Sequence, residues 1–242
     1  MLKTYLLLFA FYLKNRLFIS NRIYMDEIRV MVKPDWVSWD DIHELLLAAH
    51  KKNIEKGIVM NSVTRNGEGI KRYIGENGRC FVALCGDKLI GTTSVKIMVG
   101  KRWYDKGLTV AKGTMSAILK KYQGLGLLEE MNELRDQYVA EKGCQMLAGD
   151  TAEDNTLVRK LVVKKGFKEV RFFPAENQDH FSVYFVKWLE GCPFTDNYIR
   201  RRFLLSKKLT KLQYKSGKVE RSRIMSFLCK KADKLVNIYY GD

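Results

Sequence analysis

The sequence predicts an α/β fold in a single domain over residues 25–194, preceded by a short apolar segment and followed by a basic extension. Three observations predict it. Strand-length apolar runs alternate with helix-periodic stretches in the order β-α-α-β-β-β-α-β-α-β-β. Two apolar runs, Phe81–Cys85 and Leu89–Val99, flank Gly86-Asp87, the composition of a hairpin turn. Gly124-Leu125-Gly126 then stands between another apolar run and the best amphipathic stretch of the chain.

Taken in order, Glu27–Lys33 reads as a strand stopped by Pro34. Ser38 with Asp41 forms a capping box in which Asp replaces Glu, opening a helix through Leu45, Leu46 and Leu47. Asn53–Gly69 is weakly periodic and is expected to hold a second short helix and a loop. After the hairpin comes the polar loop Gly100–Gly107, then a strand over Leu108–Leu119 that contains Gly113. Leu127–Ala140 is a helix with a stripe of Leu127, Leu128, Met131, Leu134 and Tyr138. Glu129 and Glu130 occupy its first turn, where acids suit the dipole, and Gly143 stops it. Gln145–Gly149 is a short strand, Asn155–Lys165 a helix closed by Gly166, and Lys168–Phe173 and Phe181–Trp188 are strands.

Hydrophobic residues make up 46% and charged residues 29%, which excludes a disordered, collagenous or multi-span membrane chain. The net charge of +16 is unevenly placed. Residues 1–24 carry Lys3, Lys14, Arg16 and Arg22 with no acid; residues 200–242 carry thirteen basic side chains against Glu220, Asp233 and Asp242. The middle is nearly balanced, so the basic total does not mark the central body as a nucleic-acid binder. Cys80, Cys85, Cys144, Cys192 and Cys229 form an odd set with no C-x-x-C, as expected of reduced thiols in a cytoplasm. His43, His50 and His180 supply no zinc-ligand array, so no metal is expected.

At the N-terminus the uninterrupted apolar run is Tyr5–Leu13, far short of the ~20 residues that cross a bilayer. Leu2, Leu6, Phe9, Leu13 and Leu17 recur at helical spacing, so a basic amphipathic helix fits; so does a translation start at Met25. At the other end, Tyr198, Leu205, Leu209 and Leu212 share a helical face amid Arg200, Arg201, Arg202, Lys207, Lys208 and Lys211. Ser216-Gly217 breaks that stretch, and Ile224, Leu228 and Leu235 line a second one.

The chemistry is concentrated in Lys120-Lys121-Tyr122-Gln123-Gly124-Leu125-Gly126-Leu127-Leu128. Two glycines permit a tight turn whose N–H groups point into one concavity, and the next helix adds its unpaired N–H groups and positive dipole end. That is an anion site suited to a pyrophosphate. An ordinary strand-to-helix turn has the same composition. It is neither a Walker loop nor the longer dinucleotide fingerprint.

Further on stands Asn155-Thr-Leu-Val-Arg-Lys-Leu-Val-Val-Lys-Lys-Gly166-Phe167. The pairing resembles the GCN5-related N-acetyltransferase (GNAT) superfamily, whose Q/R-x-x-G-x-G/A loop binds the coenzyme A pyrophosphate and is followed by an N-x-x-A-x-x-L-Y-x-x-x-G-F helix. Gln123, Gly126 and Leu128 match the loop positions; Asn155, Val158, Leu161, Val162, Gly166 and Phe167 match the helix positions. The resemblance covers about 26–190 and implies a mixed, mostly antiparallel twisted sheet flanked by helices. Three positions depart from the pattern. Leu128 replaces a small residue, so its side chain must turn into the core. Val158 replaces Ala. Val162 replaces the Tyr that in many members protonates the departing thiolate.

The resemblance implies an N-acetyltransferase that passes an acyl group from acetyl-CoA, or another acyl-CoA, to a primary amine within a ternary complex. It assigns the donor to backbone groups of Ala117, Ile118 and Leu119, to the loop Gln123, Gly124, Leu125, Gly126, Leu127 and Leu128, and to Asn155. A backbone N–H of that strand would polarise the thioester carbonyl. The incoming amine must lose a proton, and Asp150, following the Gln145–Gly149 strand, is the candidate base, though a turn residue reads the same way. Glu153 is a weaker candidate, and His180 is placed to contact the acceptor or simply to be solvated. Trp103 and Tyr104 would line an acceptor pocket or cap a turn; Cys144 reads as a buried thiol. The basic extension suits an anionic membrane surface, an acidic acyl carrier protein or a solvated helix pair; no specific nucleic acid is expected. A protein that binds acyl-CoA without catalysis is the other reading.

Overall fold

The computed structural model describes residues 27–55, 62–101, 105, 107–174, 181–189 and 207–208. The expected segments at 1–24 and 195–242 lie outside these residues, apart from Lys207 and Lys208, as do Trp103, Tyr104 and His180.

In chain order the elements are β1 (Ile28–Val32), α1 (Trp39–Glu55), α2 (Gly67–Ile74), β2 (Arg79–Cys85), β3 (Lys88–Val99) and β4 (Thr109–Ile118). There follow α3 (Leu127–Glu141), β5 (Met146–Ala152), α4 (Thr156–Lys164), β6 (Lys168–Pro174) and β7 (Phe181–Trp188). The strands hydrogen-bond in the order β1-β2-β3-β4-β5-β7-β6. Pairing is antiparallel for β1–β2, β2–β3, β5–β7 and β7–β6, and parallel for β4–β5. A mixed, mostly antiparallel sheet with helices is therefore the observed architecture, as expected. The chain forms two compact units, one within Met1–Lys96 and Thr114–Tyr138, the other within Ile97–Gly113 and Val139–Asp242.

In the first unit the capping box at Ser38 is reciprocal. Asp41 N–H donates to Ser38 Oγ at 3.0 Å, while Ser38 N–H and its hydroxyl both donate to Asp41 Oδ2 at 2.7 Å. Asn66 caps α2 by accepting the Gly69 N–H at 2.9 Å. The second helix thus lies at 67–74, later than the Asn53–Gly69 stretch expected to hold it. Gly67 and Gly69 hide its start from propensity, and the Asn66 cap together with burial of Ile70 and Ile74 fixes it instead.

Alternation along the strands divides the sheet's two faces. Cys80, Val82, Leu84, Met115 and Ala117 pack with Ile42, Leu45, Leu46, Ile70 and Ile74 of α1 and α2. On the other face Phe81 meets Tyr138 edge-on at 6.4 Å, and the Tyr138 hydroxyl donates to the Asn77 carbonyl at 3.1 Å. Gly91 lies beneath α3: a Cβ there would stand 2.5 Å from Ile118 Cδ1 and 3.4 Å from Met131 Cε, so glycine permits this close packing.

The second unit joins the first half of β4 to β5 through Val110↔Met146, Ala111↔Leu147 and Lys112↔Ala148. Val110, Met146, Ala148, Val170, Tyr184 and Val186 form its core. Asn155 caps α4 by accepting the Val158 N–H at 3.3 Å, and Gly166 ends the turn at φ 87°. Of the C-terminal extension, Lys207 stands 3.6 Å from Glu153 Oε1 with its ammonium over the Phe172 ring.

One boundary corrects the sequence reading. The fifth strand does not stop at Gly149 but runs on through Asp150 to Ala152, because β7 supplies partners for each: Asp150↔Tyr184, Thr151↔Val183 and Ala152↔Ser182. Asp150 is a strand residue, not a turn residue.

Candidate active site

The glycine-rich loop is built at the carboxyl end of β4. After Ile118 the chain makes one 3₁₀ turn, Lys120–Tyr122, closed by Tyr122 N–H donating to the Leu119 carbonyl at 2.8 Å and anchored by the buried Tyr122 ring. Gln123 then doubles back: its N–H reaches the Lys120 carbonyl at 3.3 Å, and its side-chain Nε2 donates to the Ile118 carbonyl at 3.0 Å. Gly124 (φ 82°) and Gly126 (φ 79°) occupy the left-handed region that L residues avoid. A Cβ at either would meet nothing within 4 Å, so the glycines serve conformation and leave the space before them open.

The backbone N–H groups of Gly124, Leu125, Gly126, Leu127 and Leu128 find no acceptor among the described residues; the first bond of α3 is Glu130 N–H to Gly126 O, 3.1 Å. Gln123, Gly124 and Gly126 are exposed, as are Lys120 and Lys121 just before them, while Leu127 is buried and Leu128 half-buried. A row of unfilled donors, a helix N-terminus and two lysines make a cradle for a multiply charged anion. The residues present fit a diphosphate. Lone exposure of N–H groups is ordinary; several in succession around two left-handed glycines is not.

The strand leading into this loop is only partly available. Leu119 N–H donates to the Ile90 carbonyl of β3 at 2.9 Å, its own carbonyl accepts from Tyr122, and the Ile118 carbonyl holds the Gln123 amide. Both backbone groups of Leu119 are therefore engaged within the protein. Backbone groups alternate along an extended strand, so those of Ile118 and Ser116 turn away from β3. Ser116, whose hydroxyl lies 2.7 Å from that of Thr93, was not foreseen, because this alternation depends on register. Met115, buried within the same strand, has φ 54°, a left-handed conformation in a residue with a side chain.

Asp150 and its surroundings belong to the second unit. Its Oδ1 lies 2.6 Å from the Lys112 ammonium, which also stands 5.6 Å from the centroid of the buried Tyr184 ring. Nothing in the sequence brings Lys112 to Asp150; the parallel register of β4 and β5 does. Asn155 spends its side chain on the α4 cap and on a 3.3 Å bond to the Thr151 hydroxyl. Glu153 is engaged by Lys207, and its carbonyl accepts from Arg159. Cys144 is a buried thiol raised by desolvation, poorly suited to nucleophilic work. Val162, where the resemblance expects Tyr, is half-buried and offers no proton. Among the described residues no group of His, Cys, Asp and Glu is arranged to hold a metal, and no helix is long and apolar enough to cross a membrane.

No protein-family model and no curated protein sequence matches the chain. Solved structures match its shape. A GNAT-family acetyltransferase from Staphylococcus aureus superposes with a TM-score of 0.52 at 14% identity, covering 67% of this chain and 99% of that one. The ribosomal-protein-S18-alanine N-acetyltransferase of Escherichia coli gives 0.51 at 13% identity over 69% and 99%. A chain of the NatC complex bound to Gag peptide and CoA gives 0.53 at 14% identity over 67% and 99%. The chain carries the GNAT fold.

Proposed function

We propose that the chain is an N-acyltransferase that passes an acyl group, most simply acetyl, from a coenzyme A thioester to a primary amine of a small molecule, sugar or protein. The observation that carries this reading is the row of amides at Gly124–Leu128 that find no acceptor among the described residues, a row that includes two left-handed glycines and follows the carboxyl end of β4. In it the diphosphate of the donor sits on those amides, and Lys120 and Lys121 add positive charge. Ile118 and Ser116, with Ala117 and Leu119 shaping the strand, guide the pantetheine arm by backbone bonds. A strand N–H polarises the thioester carbonyl as the amine attacks; the C–N bond forms, the C–S bond breaks, and the thiolate departs.

Asp150 takes the proton of the amine, and His180 contacts the acceptor. Asn155 acts by capping α4 rather than by touching the donor. With Val162 in place of Tyr the thiolate leaves without a tyrosine donor, which a thiol of pKa ~8.5 tolerates near neutral pH. That same Val162 favours the second reading, an acyl-CoA-binding protein without turnover. We assign residues 25–194 to the acyltransferase domain and residues 195–242 to a basic helical extension for an anionic membrane surface or acidic acyl carrier, with a cytoplasmic location.

Two measurements test the reading. Calorimetric titration with acetyl-CoA gives a saturable heat if the loop holds the donor, and a flat trace removes the proposal. Thiol release from acetyl-CoA across amino acids, amino sugars, polyamines and peptide N-termini then separates enzyme from binder, since a binder releases none with any amine.

A further inference from the structure

The ion pair between Lys112 and Asp150 places the chain's own primary ammonium against the carboxylate assigned above as base. Lys112 Nζ lies 2.6 Å from Asp150 Oδ1 and 5.6 Å from the centre of the Tyr184 ring. A carboxylate on one side and an aromatic face on another are the two elements by which proteins recognise alkylammonium ions. Tyr184 is 4% exposed and packed with Val110, Ala148 and Val186, so the aromatic wall is fixed. Its position opposite Asp150 is set by the β5–β7 register. Arg171, paired with Tyr184 from β6, carries its guanidinium over Phe173 instead. The Lys112 and Asp150 side chains keep 24% and 35% of their surface in solvent, so the pair opens without unpacking the core.

We propose that Asp150 and Tyr184 form an alkylammonium-binding box and that Lys112 is its resident occupant, displaced when an aliphatic primary amine arrives. The inference rests on the acyltransferase reading for its purpose and narrows the acceptor to an unbranched alkylamine of lysyl or polyamine type. Lys112 holds the box in a bindable shape while no acceptor is present and competes with every acceptor that comes. A half-exposed ion pair is weakly held, so the competition lowers apparent amine affinity by about fivefold.

The test is ligand-observed NMR of n-butylammonium binding to the full chain, with n-butanol as the uncharged control and no thioester present. Lys112→Met, which keeps the stem and removes the charge, is expected to bind n-butylammonium about fivefold tighter than wild type, with n-butanol unchanged. Lys112→Arg refills the box and should bind as weakly as wild type. Adding Asp150→Asn to Lys112→Met should abolish the gain. Equal affinity in wild type and Lys112→Met, or a gain that survives Asp150→Asn, overturns the proposal. If circular dichroism finds Lys112→Met unfolded, Lys112→Gln answers the same question. Because no donor is used, a failed acetyl-CoA titration would leave this result standing, as an ammonium site without acyl transfer.

Discussion

Met115 offers a sign test of the backbone. It is a buried residue of β4 at φ 54°, in a strand that otherwise follows ordinary geometry. Replacing it with Ala or with Gly removes the same packed side chain, at a cost of about 2–5 kcal/mol for either variant. What differs is the backbone. An L residue in the left-handed region costs about 1–2 kcal/mol, which Gly does not pay. Gly in turn gives the unfolded chain more freedom, worth about 0.4–1 kcal/mol against it. The balance puts Met115→Gly ahead of Met115→Ala by about 0.8 kcal/mol. At a normal strand position the order is the reverse, with Ala ahead by about 0.5–1 kcal/mol. Urea unfolding of both variants, compared at matched m-values, reads the sign directly. Should Met115→Ala prove the more stable by about 0.5 kcal/mol, the residue is not left-handed in solution and the strand approaching the loop is regular.

Three other outcomes are expected. Gln123→Ala deletes the 3.0 Å bond to the Ile118 carbonyl at an exposed site, so acetyl-CoA affinity should fall by about fivefold while the melting temperature barely moves; a large stability loss would contradict this. Ser38→Ala removes a reciprocal cap and should cost about 1 kcal/mol. The Ser38 hydroxyl, and then its N–H, hold the Asp41 carboxyl below its ordinary 3.8. That contribution is therefore complete above pH 3.8 and disappears as pH falls through the lower folded value. Urea midpoints at pH 6 and pH 3 should accordingly differ less in Ser38→Ala than in wild type. Gly149→Ala would set a Cβ 2.8 Å from Phe185 Cε2 on a ring held by β7; a loss of about 1–3 kcal/mol by thermal melting is expected, and none would mean the strand shifts freely.

What the sequence could convey was local. The cap at Ser38, the Gly86 turn, the amphipathic stripe of α3 and the closure of α4 at Gly166 each rest on neighbours within a few residues, and each was legible. The second helix starts later than the sequence suggests because its signal, an Asn before two glycines, argues against a helix by propensity and for one only by capping. The sequence places Asp150, the candidate base, just past the end of a strand, because a strand's length depends on the partner it finds and β7 lies some thirty residues downstream. Lys112, Ser116 and Met115 are silent in the sequence for one reason: their significance comes from register and backbone twist, which leave no pattern of residue types. The glycine loop was visible because conformation there demands a particular amino acid.

Gln123 gives that loop a property its glycines alone would not. By tying its own amide to the end of β4 and its backbone to the preceding turn, it holds the curve before any ligand comes. Among the described residues no group accepts from the backbone N–H groups of Gly124 to Leu128, which leaves them to solvent or to a ligand. If this row holds the donor's diphosphate, as proposed, binding exchanges water for phosphate oxygens without asking the chain to rearrange, and selectivity at this spot is for shape and charge already in place.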